Sequence, residues 1–174
     1  SVTGSERDIF AFVKDKEDSV VFALFERGGK IIWAESMSIA CGGETTGEIM
    51  ASFLKQHYAD GAPVPKEIVV RDMPEEKEAL SEWLSENRGS KVEIICPQRG
   101  EKKKLAEMAY RNGVEAIQKA RELEHRSWER GEGAMLRLCE VIGLDEIPGR
   151  MECYDNSHIR GRDTVSGMVV FING

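Results

Sequence analysis

The densest set of reactive side chains lies near the end of the chain, in RMECYDNSHIRG at positions 150–161. Residues 151–154 read as a short apolar strand, and Asp155 stands at its end. Met151, Cys153 and Asp155 alternate onto one face of that strand. A carboxylate in this position can face a divalent cation without losing its backbone pairing. One carboxylate is a poor site, however. A metal-dependent nuclease needs two or more, converging from different elements, to hold Mg²⁺ or Mn²⁺ against a phosphate and activate a water. The pattern alone leaves Asp155 two readings, a metal ligand or an ordinary strand-end residue. His158 reads either as a participant in a site or as a polar loop residue shaping the turn after Asp155. Asp163 follows eight residues on and reads as a turn former.

A second candidate is a basic cluster, Arg99 with Lys102, Lys103 and Lys104, at the start of a long helical pattern. Cations are slightly unfavourable at a helix N-terminus. Phosphate contact is one reason to place them there, and a solvated face is the other. Neither G-x-G-x-x-G nor a Walker A pattern is present, which leaves nucleotide-cofactor binding without support.

The elements that position these residues alternate between strands and helices. Residues 9–13, 19–26 and 31–39 read as three strands, the last two joined by a tight turn at Gly28 and Gly29. Trp33 and Trp83 fall in core patterns. Thr45 or Thr46 caps a helix, with Glu48 in its first turn and Ile49, Met50, Phe53 and Leu54 at helical spacing. Residues 67–71 form a fourth strand. Pro74 opens a helix carrying Ala79, Leu80, Trp83 and Leu84, and residues 91–95 form a fifth strand. A long helix then runs from Gly100 to about Arg126, with Leu105, Met108, Ala109, Val114 or Ala116, Ile117, Ala120 and Leu123 as its stripe. A shorter helix ends at Gly143, and two strands close the chain. The order β-β-β-α-β-α-β-α is that of a ribonuclease H-like mixed sheet. A helical connector and the first β-hairpin of a second domain follow. The expected boundaries are residues 1–99, 100–147 and 148–174.

Composition bounds the function. The chain has 174 residues and a net charge of −7. Residues 1–97 carry net −7, 98–137 net +3 and 138–174 net −3, so only the 98–137 stretch attracts phosphate generally. No stretch approaches the roughly 18 apolar residues of a membrane span, and no signal peptide opens the chain. Cys41, Cys96, Cys139 and Cys153 form no CxxC pair and read as buried free thiols of a cytoplasmic protein.

The stretch GRMECYDNSHIRGRDTVSGMVVFING resembles the start of the endonuclease domain of the UvrC family, the excinuclease subunit that cuts beside DNA lesions. That family shows a strand, then D-x-S-[HN]-x-x-G, then a strand like V-x-S-M-V-V-F. Asp155, Ser157, His158 and Gly161 stand at the motif positions, and residues 168–171 match the second strand. RDIFAF, FLKQHY, VPKEIVV and PQRGEKKKLAEMAYRN resemble the family's central region, so the resemblance covers nearly the whole chain. It implies that Asp155 is a catalytic aspartate and ligand of Mg²⁺ or Mn²⁺. It also implies damaged double-stranded DNA, UvrB and the UvrA–UvrB recognition system as partners, with no membrane. The family's remaining carboxylate and histidine lie beyond Gly174. The chain then reads as a central slice of a longer protein, inactive by itself.

A working site in the first domain would want an Asp inside the first strand. Residues 9–13 hold none, with Asp8 just before and Asp15 just after, and Glu35 and Asp72 are isolated candidates from other strands. The first domain therefore reads as degenerate. The alternative for the whole chain is a non-catalytic α/β scaffold that positions DNA or docks repair proteins.

Overall fold

A computed structural model describes residues 4–159 and 162–172, with side chains described outside 156–166. Strands β1 (Glu6–Asp15), β2 (Asp18–Arg27) and β3 (Lys30–Ser38) form an antiparallel meander. Helix α1 (Thr46–Ala59) leads to β4 (Glu67–Val70), and α2 (Lys77–Arg88) leads to β5 (Glu93–Ile95). β4 runs parallel to β1, and β5 parallel to β4, giving the sheet order β3-β2-β1-β4-β5. Helix α3 (Gly100–Arg130) follows. This is the mixed, ribonuclease H-like architecture the sequence leads one to expect.

Local chemistry sets these elements. Gly28 and Gly29 take φ angles of 61° and 78°, which a tight β2–β3 turn demands and which cost glycine little. Thr45 and Glu48 form a reciprocal capping box at the start of α1. Positive φ at Gly89 ends α2. Pro74 lies upstream of α2, which begins only at Lys77.

β1 is covered on both faces, which explains its unbroken apolar run. Phe10 and Phe12 pack with Met50, Leu54, Leu80 and Leu84 of α1 and α2. Ile9 and Ala11 pack with Ala106 and Ala109 of α3, and Val13 with Ile117. The buried stripe of α3 is Ala106, Ala109, Gly113 and Ile117. It differs from the expected stripe because the helix lies too close for large residues. A Cβ on Gly113 would stand 2.7 Å from Val13 Cγ2. Leu105 and Met108 flank this seam, half-buried.

Two strands start earlier or run further than their apolar cores suggest. β1 begins at Glu6, so Asp8 lies inside it. β6 (Arg150–Ile159) extends past Asp155 and pairs antiparallel with β7 (Arg162–Ile172). Trp33 is 61% exposed, against the expectation of a core position. β3 is an edge strand, and only its later half, with Met37, is packed against the core.

The chain divides into two compact units, Ser1–Lys119 and Ala120–Gly174. The second contains the end of α3, helix α4 (Glu132–Ile142) and the β6–β7 hairpin. Within it, Gly133 lets the Trp128 ring lie against α4, since an added Cβ would meet ring carbons at 3.0–3.3 Å. Met135 and Cys139 are buried, and Gly143 caps α4 in the left-handed conformation. Cys153 is exposed and Cys41 and Cys96 half-buried, so only Cys139 is the buried thiol expected of all four. Among the described residues no helix is long and apolar enough to cross a membrane.

Candidate functional site

Asp155 is exposed in the middle of β6, directly opposite Gly167 of β7. A side chain opposite would normally crowd it, because directly paired residues bring their Cβ atoms within about 5 Å. Glycine removes that neighbour, and the space where its Cβ would stand is open. The residue paired with Asp155 therefore places no side chain beside it. The side chains of Ser157, His158 and Asp163, and all of Gly161, lie outside the described residues. Among the described residues no three His, Cys, Asp or Glu side chains converge into a metal-binding group. Asp155 suits an oxygen-loving divalent cation as one ligand of several, and further ligands would have to come from other segments.

The basic cluster divides in two. Lys102 Nζ is 2.7 Å from Glu67, which also takes a 2.7 Å contact from Arg7. Those two cations hold the Glu67 carboxyl below its ordinary range, although burial works the other way. Lys103 pairs with Glu107 one turn on, at 2.8 Å. Arg99 and Lys104 are exposed and have no ion pair among the described residues. Those two are the cations open to phosphate.

One polar constellation is not evident from the sequence. Asp8, 1% exposed, accepts hydrogen bonds from Tyr58 Oη at 2.7 Å and Arg27 Nη1 at 2.8 Å. Burial raises the Asp8 carboxyl above its ordinary value, and the two hydrogen bonds oppose that shift. His57 stacks between Phe53 and Phe25. Its own burial lowers its basicity, against the pull of Asp8 and Glu35. Only part of the signal is local. Asp8 shares the period-2 face of Phe10 and Phe12, and FLKQHY places His57 and Tyr58 on the buried side of α1. An Asp inside β1 therefore exists, correcting the expectation that the first strand holds none. Its oxygens already serve Tyr58 and Arg27. Asp72 sits beside Arg71 at 3.5 Å, and among the described residues no group of three metal-ligating side chains forms around Asp8.

Connectivity and sheet order define the first unit as a ribonuclease H-like α/β domain. A helix and a β-hairpin bearing one exposed aspartate follow it. Residues 6–120 match the family model described as UvrC Ribonuclease H-like domain, and residues 139–174 match UvrC RNAse H endonuclease domain. The chain belongs to the UvrC family. UvrABC system protein C of Clostridioides difficile (strain 630) is 36% identical over 174 residues, covering 99% of this chain and 29% of that relative. UvrABC system protein C of Thermoanaerobacter sp. (strain X514) is 40% identical over 176 residues, covering 100% and 28%. The chain spans a little over a quarter of the length of these relatives.

Proposed function

We propose that the chain is part of a nucleotide-excision-repair endonuclease that cuts damaged double-stranded DNA together with UvrB and the UvrA–UvrB recognition system. Asp155 is the observation that carries this reading. It lies on β6, within the residues 139–174 that match the endonuclease-domain description, and is paired with Gly167 of β7. Asp155 would hold Mg²⁺ or Mn²⁺ with a carboxylate and a histidine supplied by residues after Gly174. The cation, when bound, would neutralise the scissile phosphate and lower the pKa of a water nucleophile. Asp155 contributes the fixed negative charge that orients it.

The first unit serves as a non-catalytic scaffold in this reading, because Asp8, the buried aspartate of β1, is held by Arg27 and Tyr58. Arg99, at the end of the scaffold segment, and Lys104, in the connector, bring phosphate contacts, with Lys102 and Lys103 adding to the local field. The segments 1–99, 100–147 and 148–174 then act as scaffold, connector and start of the nuclease domain. Plasmid nicking with Mn²⁺ tests the division of labour. A chain extended through the rest of the endonuclease domain should nick, and the 174-residue chain should not. Nicking by the shorter chain would contradict it.

A further inference from the structure

The first unit also carries a cavity that the nuclease reading leaves unused. It has a volume of about 360 Å³ and is lined by Phe25, Trp33, Glu35 and His57, with Asp8 and Arg27 at its base. It opens beside β3, whose outer edge pairs with no strand among the described residues. Ile31, Ile32 and Trp33 form an exposed apolar run along that edge. Edge strands are ordinarily blunted by charge, proline or a bulge on the exposed side. β3 has a register irregularity at Ile32, and it still presents two isoleucines and a tryptophan to the outside.

Two polar groups in the cavity wall lack a counterpart. His57 Nε2 is buried with no hydrogen-bond partner among the described residues. Glu35 is half-buried, and no cation pairs with it among the described residues. Asp8 is already answered by Arg27 and Tyr58, so the unmet charge is that of Glu35. The sequence surrounding it, residues 1–97, is itself net −7.

From this juxtaposition we infer that the edge of β3 is a docking site for an extended basic peptide segment of a protein partner. The segment adds a strand to β3 and lays one Arg or Lys into the cavity. Main-chain pairing to the free edge gives affinity, and the cavity beside it reads an alternate side chain. The aliphatic stem of that residue packs along Phe25, and its cationic head lies near the Trp33 ring. The head donates to the Glu35 carboxylate, beside the His57 ring. Single-stranded DNA could also stack a base on Trp33, but its phosphates would meet an acidic surface.

The test is a nuclear magnetic resonance titration of the 174-residue chain. The probe is a synthetic Val/Thr peptide of about eight residues, the length of an edge strand, with a central Arg. Shifts should be confined to residues 30–38 and the His57 ring. A peptide with central Glu should bind far more weakly. Glu35→Gln, which keeps shape, should weaken the Arg peptide about fivefold, the fold-change of one ion pair. Trp33→Ala should weaken it at least as much, with its fold checked by unchanged amide dispersion. The inference is overturned if millimolar Arg peptide shifts nothing on β3. Equal binding of the Glu peptide, or no effect of Glu35→Gln, also overturns it. So does oligothymidylate moving β3 where the Arg peptide does not.

Discussion

The hydroxyl of Tyr58 donates a 2.7 Å hydrogen bond to Asp8 from the far end of α1, joining helix to sheet inside the apolar core of the first unit. Arg27 completes the arrangement from β2 at 2.8 Å. A buried carboxylate without such partners would be strongly destabilising. Tyr58→Phe should therefore cost about 1–3 kcal/mol, the range for removing a hydrogen bond to a buried charge. Urea unfolding of the first unit measures it. A loss near zero would mean Asp8 is neutral or otherwise satisfied.

The same pair predicts a functional silence. Asp8→Asn keeps the shape and removes the charge. If the first unit is a scaffold, full-length protein with Asp8→Asn should incise at the unmodified rate at temperatures where it remains folded. A loss of the order expected for a metal ligand, about a hundredfold or more, would instead make Asp8 part of a second nuclease centre.

Two titrations act in opposite directions. His57 has its folded pKa pushed below the ordinary value of about 6.5. Its contribution to stability is complete above pH 6.5 and is lost as pH falls toward the folded value, because only the unfolded state then binds the proton. Asp8 has its folded pKa raised above the ordinary carboxyl value. Its contribution is complete below that value and is lost as pH rises through the folded pKa. Thermal unfolding from pH 7.5 down to 5.5 should show His57→Gln losing less stability than the parent. A steeper loss in the variant would reverse the sign assigned to His57.

Gly113 is where α3 touches the sheet. Alanine there gains about 1 kcal/mol of helix propensity. It also forces a Cβ to within 2.7 Å of Val13 Cγ2, and overpacking of this kind costs about 1–3 kcal/mol. Gly113→Ala should therefore be net destabilising. Adding Val13→Ala should recover part of the loss, a coupling that a double-mutant cycle reads directly. Additive effects would mean that the seam adjusts freely.

The divided basic cluster makes a prediction in salt. Arg99→Ala and Lys104→Ala should each reduce the slope of log K against log salt for duplex DNA by about 0.9. Lys102→Ala should reduce it less, since Lys102 is held by Glu67. Equal slopes for all variants would remove the cluster from the DNA interface.

Much of the fold was legible because the signals were local. The Gly28–Gly29 turn, the Thr45–Glu48 capping box and the glycines ending α2 and α4 each act within a few residues. Strand ends were less legible. β1 and β6 both continue through charged or polar residues, where pairing to a neighbouring strand outweighs the residue's own preference. That is why Asp8 and Asp155 stand inside strands rather than beside them. Trp33 was misplaced for a related reason. Its alternation marks the covered face of a strand, but nothing in a period of two says that the strand is at the edge. The Asp8–Tyr58–Arg27 contacts join residues 19 to 50 positions apart, beyond any spacing rule.

The most direct measurement is incision of a lesion-bearing duplex by the full-length protein with its partner subunits, in Mg²⁺ or Mn²⁺, comparing Asp155 with Asp155→Asn. Loss of a metal-ligand carboxylate should lower the rate of the cut made by this domain by about a hundredfold or more while DNA binding is retained. Asp155→Asn incising at the unmodified rate would show that Asp155 is an ordinary strand residue and would contradict the account.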